Sequence, residues 1–257
     1  MNIAPIDIVM VQTDPIWHAP EANHRAVEDL LARVDLRSGS LVVLPETFAT
    51  GFTNDPAFAE APGGASDAFL ANLARTRHVW VVAGLLRRGA YGAVRNCAVA
   101  VDPSGTERAV YAKRRPFRPG GEPWTAGHHP VVLGMGDFRV ALHICFDLRF
   151  PELFRDTLEP DSPDLHVVIA SWPVARIAQW ELLLRARAVE NQAWLVGVNR
   201  TGEDPFHSHV GASLVVDPTG TIRAHAGSAP GVVATQCDIG SARELRRQLP
   251  FLPGAVA

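Results

Sequence analysis

Residues 140–155 read VALHICFDLRFPELFR. The apolar, β-branched start is a buried strand (138–144), the polar residues after it make a sharp turn, and Pro151 opens a short helix (151–158). A cysteine at such an elbow presents its sulfur, and the next backbone N–H, that of Phe146, is free to donate. Cysteines sealed in a core seldom share a turn with an aspartate and an arginine, yet Asp147 and Arg149 follow Cys145 closely. Cys97 in VRNCAVAV and Cys237 in VATQCDIG read instead as structural thiols.

Other strand signals fall at 6–11, 41–44, 79–85, 93–101, 107–111, 131–133, 165–170, 194–199, 211–216 and 231–235, several of them rich in Val and Ile. The matching turns VDPSGT (101–106) and VDPTGT (216–221) each end one strand and restart another, so part of the sheet is antiparallel. Helical spacing marks 20–36, 66–76 with Ser66 as its N-cap, 177–190 and 241–249. This alternation predicts an α/β fold with two packed mixed sheets and helices outside, in a single domain over residues 1–257. The Gly-, Pro- and His-rich loops 47–65, 114–129 and 201–209 are expected at a pocket rim.

Composition excludes several classes. The chain has 257 residues, 47% of them hydrophobic, but no apolar run approaching the ~20 of a membrane span. The opening MNIAPIDIVMVQ reads as a first strand rather than a cleavable leader. Net charge is −3, and KRRPFR, the densest basic patch, is interrupted by Pro and Phe, so neither nucleic acid nor membrane is an expected partner. Three widely spaced cysteines without a CxxC suit free thiols and a cytoplasmic setting. The pairs His128/His129 and His207/His209 lack a third ligand at metal-site spacing, and no glycine-rich phosphate loop is present; no metal or cofactor is expected.

Lys113 is the only lysine among 24 basic residues. A compact ammonium does what a planar guanidinium cannot. Glu46 follows the strand 41–44 as Cys145 follows 138–144. Thiol, carboxylate and ammonium together suit acyl transfer at an amide carbon. Glu46 takes the thiol proton and passes it to the leaving nitrogen. Lys113 and the Phe146 N–H stabilise the oxyanion, and Lys113 also favours the thiolate. His143 shares a strand face with Cys145 but reads as a packed, hydrogen-bonded core histidine.

The ordered segments LPETF (44–48), YAKRRPF (111–117) and HICFDLRFPELFR (143–155), continued by residues 170–202 and 211–220, resemble the nitrilase superfamily of carbon–nitrogen hydrolases, most closely its ω-amidases. That resemblance implies a four-layer α-β-β-α sandwich, a Glu46–Lys113–Cys145 triad, a supporting Glu122 beside the lysine, and a homodimer. It also implies a small amide substrate: an ω-amide of a dicarboxylate, or alternatively an N-carbamoyl amino acid or aliphatic amide. A catalytically silent interaction module is the alternative of another class. Arg149 either anchors a substrate carboxylate or braces the turn through Asp147 or Glu152, and Arg176 is a second anchor candidate. Phe48, Phe52, Phe117, Trp124 and Trp172 are the expected apolar walls. Amide turnover is expected to survive a chelator and to be lost on thiol alkylation; ammonia release measured with each reagent checks both.

Overall fold

Strand β1 (Ile6–Gln12) shows how the layers arise. Its side chains alternate, so Ile8 and Met10 enter one apolar core while Val9 and Val11 enter another. In the computed structural model, which describes residues 4–159 and 162–252, those two cores separate three of the four layers. The first six-stranded sheet runs β14 (Gly231–Cys237), β1, β2 (Leu41–Val43), β3 (Trp80–Arg88), β4 (Val94–Val101) and β5 (Glu107–Ala112). The second runs β13 (Ile222–His225), β12 (Leu214–Val216), β9 (Trp194–Asn199), β8 (Leu165–Ala170), β7 (Phe138–Ile144) and β6 (Val132–Met135). In each sheet a parallel trio, β1–β2–β3 or β7–β8–β9, is flanked by antiparallel strands.

Helices α1 (Pro20–Leu31) and α2 (Ala65–Arg77) cover the outer face of the first sheet through Val27, Leu31, Leu70, Leu73 and Ala74. Helix α4 (Ile177–Glu190) covers the second sheet with Trp180, Leu184 and Ala188, while Leu182 faces outward. The result is the expected α-β-β-α sandwich. Each fully buried Leu or Val contributes about 1.5–3 kcal/mol, so these stripes dominate over helix propensity in placing the helices.

Both Asp-Pro-x-Gly turns join antiparallel strands, β4–β5 and β12–β13. In each, the aspartate Oδ1 accepts backbone N–H bonds from the residues two and four places on, Ser104 and Thr106 or Thr219 and Thr221. The hairpin β10 (Thr201–Glu203) and β11 (Ser208–Val210), like β13, lies outside the strand ranges read from the sequence. All three are short, and polar residues interrupt their apolar pattern. Helix α1 stops at Leu31 rather than residue 36, because the chain tightens into i→i+3 bonds at Arg33 and Val34. Helix α3 (Pro151–Arg155) shortens in the same way, at Thr157 and Leu158. Ser66 is not an N-cap. It sits inside α2, and its N–H and hydroxyl donate to the Glu60 carboxylate, which satisfies the helix start from outside.

His143 is a core residue, as its flanks suggest. Its Nε2 lies 3.0 Å from Nδ1 of His166 on the neighbouring strand, and its ring stacks on Phe154 at 3.8 Å. Burial pushes the His143 pKa well below the usual imidazole range and that of His166 down to about 3, so both rings are neutral. The unfolded chain binds protons below pH 6.5 that the folded chain does not, so stability present above that pH is lost on acidification. Each such histidine contributes about 1.4 kcal/mol of loss per pH unit below 6.5. The melting temperature is expected to fall by several degrees between neutral and mildly acid pH, and less in His166→Asn; calorimetry across pH checks this.

Candidate active site

Four strand ends converge where the two sheets meet. Strand β2 delivers Glu46, β5 delivers Lys113, β7 delivers Cys145 and β8 delivers Ser171. The Lys113 Nζ donates to Glu46 Oε1 and to Glu122 Oε2, each at 2.8 Å. All three side chains are within 1% of complete burial. Asn96, in the middle of β4, spends both amide protons on the same two carboxylates, 2.7 Å to Glu46 and 3.0 Å to Glu122. The other oxygen of Glu46 accepts the Ser171 N–H at 2.8 Å. The Cys145 thiol contacts the Ser171 carbonyl at 3.9 Å, and the Glu46 carboxylate is near enough to act on its charge. The sequence-predicted trio and Glu122 are therefore brought together as one cluster.

Backbone geometry makes the convergence possible. Cys145 and Thr47 both adopt a left-handed conformation, with φ of 45° and 46°. Such residues cost of order 1–3 kcal/mol and persist only where surrounding structure enforces them. The Thr47 reversal sends Glu46 and Phe48 in opposite directions. Phe48 accordingly does not line the pocket. It is 1% exposed in the core under α1 and α2, beside Phe69 and His24. Trp124 is also a packing residue, in a small cluster with Ala59, Leu86 and Val94.

Burial alone would lower the Lys113 pKa, but the Glu122 and Glu46 carboxylates outweigh it and hold the ammonium above the ordinary lysine range. Burial raises the Cys145 pKa well above that of a free thiol, and Glu46 adds to the rise. The Lys113 charge favours the thiolate, as expected, but does not overcome these two effects, so the resting sulfur is a thiol.

Above Cys145 opens a cavity of about 590 Å³. Phe52, Phe117, Phe146 and Trp172 form its apolar walls, Arg149 and Arg176 its cationic side, and residues 204–207 and His209 around the β10–β11 hairpin its outer rim. Arg149 lies 4.8 Å over the Trp172 ring and donates to Gln179 at 2.6 Å; Arg176 lies 5.3 Å over Phe117. Among the described residues neither arginine has a carboxylate at ion-pair distance. Asp147 is engaged by Ile144, Arg115 and Tyr111, and Glu152 lies 3.6 Å from Arg115, so the bracing role expected for Arg149 as an alternative is absent. Burial and the neighbouring Arg176 both lower the Arg149 pKa. His128 and His129 line a different cleft, and no trio of His, Cys, Asp or Glu among the described residues is placed to hold a metal ion.

Asn96, Ser171 and Gly84 escaped sequence reasoning. A polar residue inside an apolar strand signals Asn96, and a glycine inside VVAGLL signals close backbone approach. A Cβ at Gly84 would sit 2.5 Å from Glu46 Cα and 2.6 Å from Thr47 N. Both are backbone atoms, so the Glu46 segment would have to move. Gly84→Ala is expected to cost about 1–3 kcal/mol of stability and at least tenfold in amide turnover; thermal melting and ammonia release check the two effects.

Comparison with known proteins agrees with this geometry. The sequence profile described as carbon-nitrogen hydrolase matches residues 8–247. The 2-oxoglutaramate amidase of Paenarthrobacter nicotinovorans is 36% identical over 245 residues, covering 88% of this chain and 83% of that protein. The omega-amidase YafV of Yersinia enterocolitica is 33% identical over 227 residues, covering 87% of this chain and 86% of the relative. The crystal structure of XC1258 from Xanthomonas campestris, a CN-hydrolase superfamily protein with an arsenic adduct in its active site, superposes with a TM-score of 0.90 at 31% identity, covering 97% of both chains. No helix among the described residues is long and apolar enough to cross a membrane. The chain belongs to the carbon–nitrogen hydrolase family of the nitrilase superfamily and is an enzyme acting on amides.

Proposed function

We propose that the chain is an ω-amidase that cleaves a short dicarboxylate monoamide, such as 2-oxoglutaramate, through a Cys145 thioester. The supporting observation is the pairing of a thiol–carboxylate–ammonium floor with two arginines that have no carboxylate partner among the described residues, all in one pocket. An amide at Cys145 and a carboxylate at Arg149 or Arg176 would use both ends of such a substrate. The aromatic faces under each guanidinium hold the cations in place without neutralising them. The relatives named for 2-oxoglutaramate and ω-amides point to the same class.

In the first half-reaction the sulfur attacks the amide carbon as Glu46 takes its proton. A resting thiol requires that base, because the Lys113 charge does not ionise the sulfur unaided. The carbonyl π electrons move to oxygen. The third proton of the Lys113 ammonium, whose other two are held by Glu46 and Glu122, and the Phe146 N–H, in a first turn without a helical acceptor, stabilise that oxyanion. Protonated Glu46 then donates to the nitrogen, the C–N bond breaks and ammonia leaves. Water gives a proton to Glu46 and attacks the thioester. The departing sulfur recovers its proton from Glu46, and the acid is released. Glu122 and Asn96 touch neither reacting bond; they hold Lys113 and Glu46 in register.

An ammonia-release panel of 2-oxoglutaramate, glutamine, N-carbamoyl amino acids and nitriles tests the assignment. Turnover is expected to be strongest for the keto-acid amide, and carbon dioxide release from carbamoyl substrates would overturn it. Cys145→Ala is expected to abolish activity while leaving the fold intact. A charged hydrogen bond contributes about 1.5–3 kcal/mol, so Arg149→Gln or Arg176→Gln should lower kcat/KM for the carboxylated amide about tenfold or more. Its uncharged analogue should change little. Equal losses on both substrates would rule out an arginine anchor.

A further inference from the structure

Asp147 is fully buried two residues beyond Cys145 and takes no part in the bond-making steps. Its Oδ2 accepts the Ile144 N–H at 3.0 Å and the Tyr111 hydroxyl at 2.8 Å, and its Oδ1 accepts the Arg115 N–H at 2.8 Å. Ile144 immediately precedes the cysteine. Tyr111 and Arg115 stand two residues to either side of Lys113. Strands β5 and β7 belong to different sheets, and among the described residues no backbone hydrogen bond joins 111–115 to 144–149. The side chain of Asp147 supplies the link that the sheets do not.

We infer that Asp147 is a positioning residue whose carboxylate clamps the turn carrying Cys145 to the strand end carrying Lys113, fixing nucleophile and ammonium relative to each other. The clamp is costly as packing alone. None of its three donors is charged, and no cation lies at ion-pair distance among the described residues. Desolvating such a carboxylate costs several kcal/mol, and an apolar side chain of the same size would burden the fold less. A carboxylate, however, can accept from three donors on two segments at once, which no apolar or amide side chain can do.

The clamp also titrates. Burial raises the Asp147 pKa to about 6, against the Lys113 charge and the three hydrogen bonds that favour the ionised form. The titratable groups around it are Tyr111 and Lys113 on the β5 side and His143 and Cys145 on the β7 side, and the guanidiniums of Arg114 and Arg187 act on its neighbours Tyr111 and His143. Burial keeps Tyr111, His143 and Cys145 neutral, so Lys113 is the charge that acts on it. On protonation the Tyr111 hydroxyl can turn to accept, but a backbone N–H cannot, so at least one tie weakens. The positioning therefore loosens as pH falls through about 6.

The inference rests on Cys145 and Lys113 acting as proposed, and its test separates the two. Asp147→Asn conserves volume but sets an NH2 against a backbone N–H. It is expected to lower kcat about tenfold or more with KM nearly unchanged, since sub-ångström misplacement of reacting groups acts on the chemical step. Tyr111→Phe removes one hydrogen bond to the carboxylate and should raise the acid limb of the kcat profile by about half a pH unit. In the double variant that extra shift should vanish, an outcome that a merely structural tyrosine would not give. Unchanged kcat in Asp147→Asn, or an unmoved limb in Tyr111→Phe, would overturn the clamp. If Asp147→Asn does not fold, the Tyr111→Phe limb decides alone. If the wild-type protein releases no ammonia from any amide, the substrate reading fails, and the clamp is read instead from iodoacetamide labelling of Cys145 followed by mass spectrometry. Labelling should slow in Asp147→Asn, because the thiolate loses its nearby ammonium, while an unchanged rate would overturn the inference.

Discussion

One ammonium buried between two carboxylates organises this molecule. Lys113 is 1% exposed, and Glu46 and Glu122 are completely buried. None of the three is tolerable there alone. Removing one member of such a group leaves an uncompensated charge and costs about 3–5 kcal/mol. The fold must therefore bring the ends of β2 and β5 and the loop 118–122 together for any of them to be accommodated. Asn96 completes the group by bonding both carboxylates from within β4. Arg118 holds the Glu122 loop by donating to the carbonyls of Glu122 and Trp124. The charges thus enforce the local structure that the chemistry needs.

The two sheets divide the labour. The first sheet contributes the charged Glu46 and Lys113 and the amide of Asn96. The second contributes the thiol of Cys145 and the Ser171 backbone, which touches both sulfur and carboxylate. Packing one sheet on the other through Ile8, Met10, Leu142 and Ile144 is consequently what assembles the site. Neither sheet holds a complete set of groups. The same packing buries the Glu46–Lys113–Glu122 group, and low-dielectric surroundings strengthen the electrostatic interactions within it.

Above this rigid floor the pocket is built from connections rather than strands. Phe52, Phe117 and Trp172 come from three separate loops, and Arg176 from the entry to α4. Loops can vary without disturbing the sheets, so a shared catalytic floor is compatible with different substrates. The two arginines illustrate this. They rest on aromatic faces and pair with no acid among the described residues, and so leave their charge available to whatever enters.

Much of this was legible in the chain. Strands rich in Val and Ile, and helices with apolar residues at helical spacing, set the layers, because burial of apolar area outweighs other local preferences. A thiol, a carboxylate and a lone lysine, each just past a strand, marked the floor, because strand ends are fixed points in such sheets. Short strands with polar interruptions, such as β10, β11 and β13, left too little periodicity to read. What the sequence could not decide was direction and partnership. Phe48 lies two residues from Glu46 yet faces away from the pocket, because a left-handed turn at Thr47 separates them. Asn96, Ser171 and Gly84 matter through distant neighbours, as in the 125-residue separation of Ser171 from Glu46, and Asp147 through Tyr111 and Arg115 as well as the nearby Ile144. Local sequence determines which groups a segment can offer. Only the packing of distant segments decides which of them meet, and whether a buried thiol, carboxylate or guanidinium keeps its proton or its charge free.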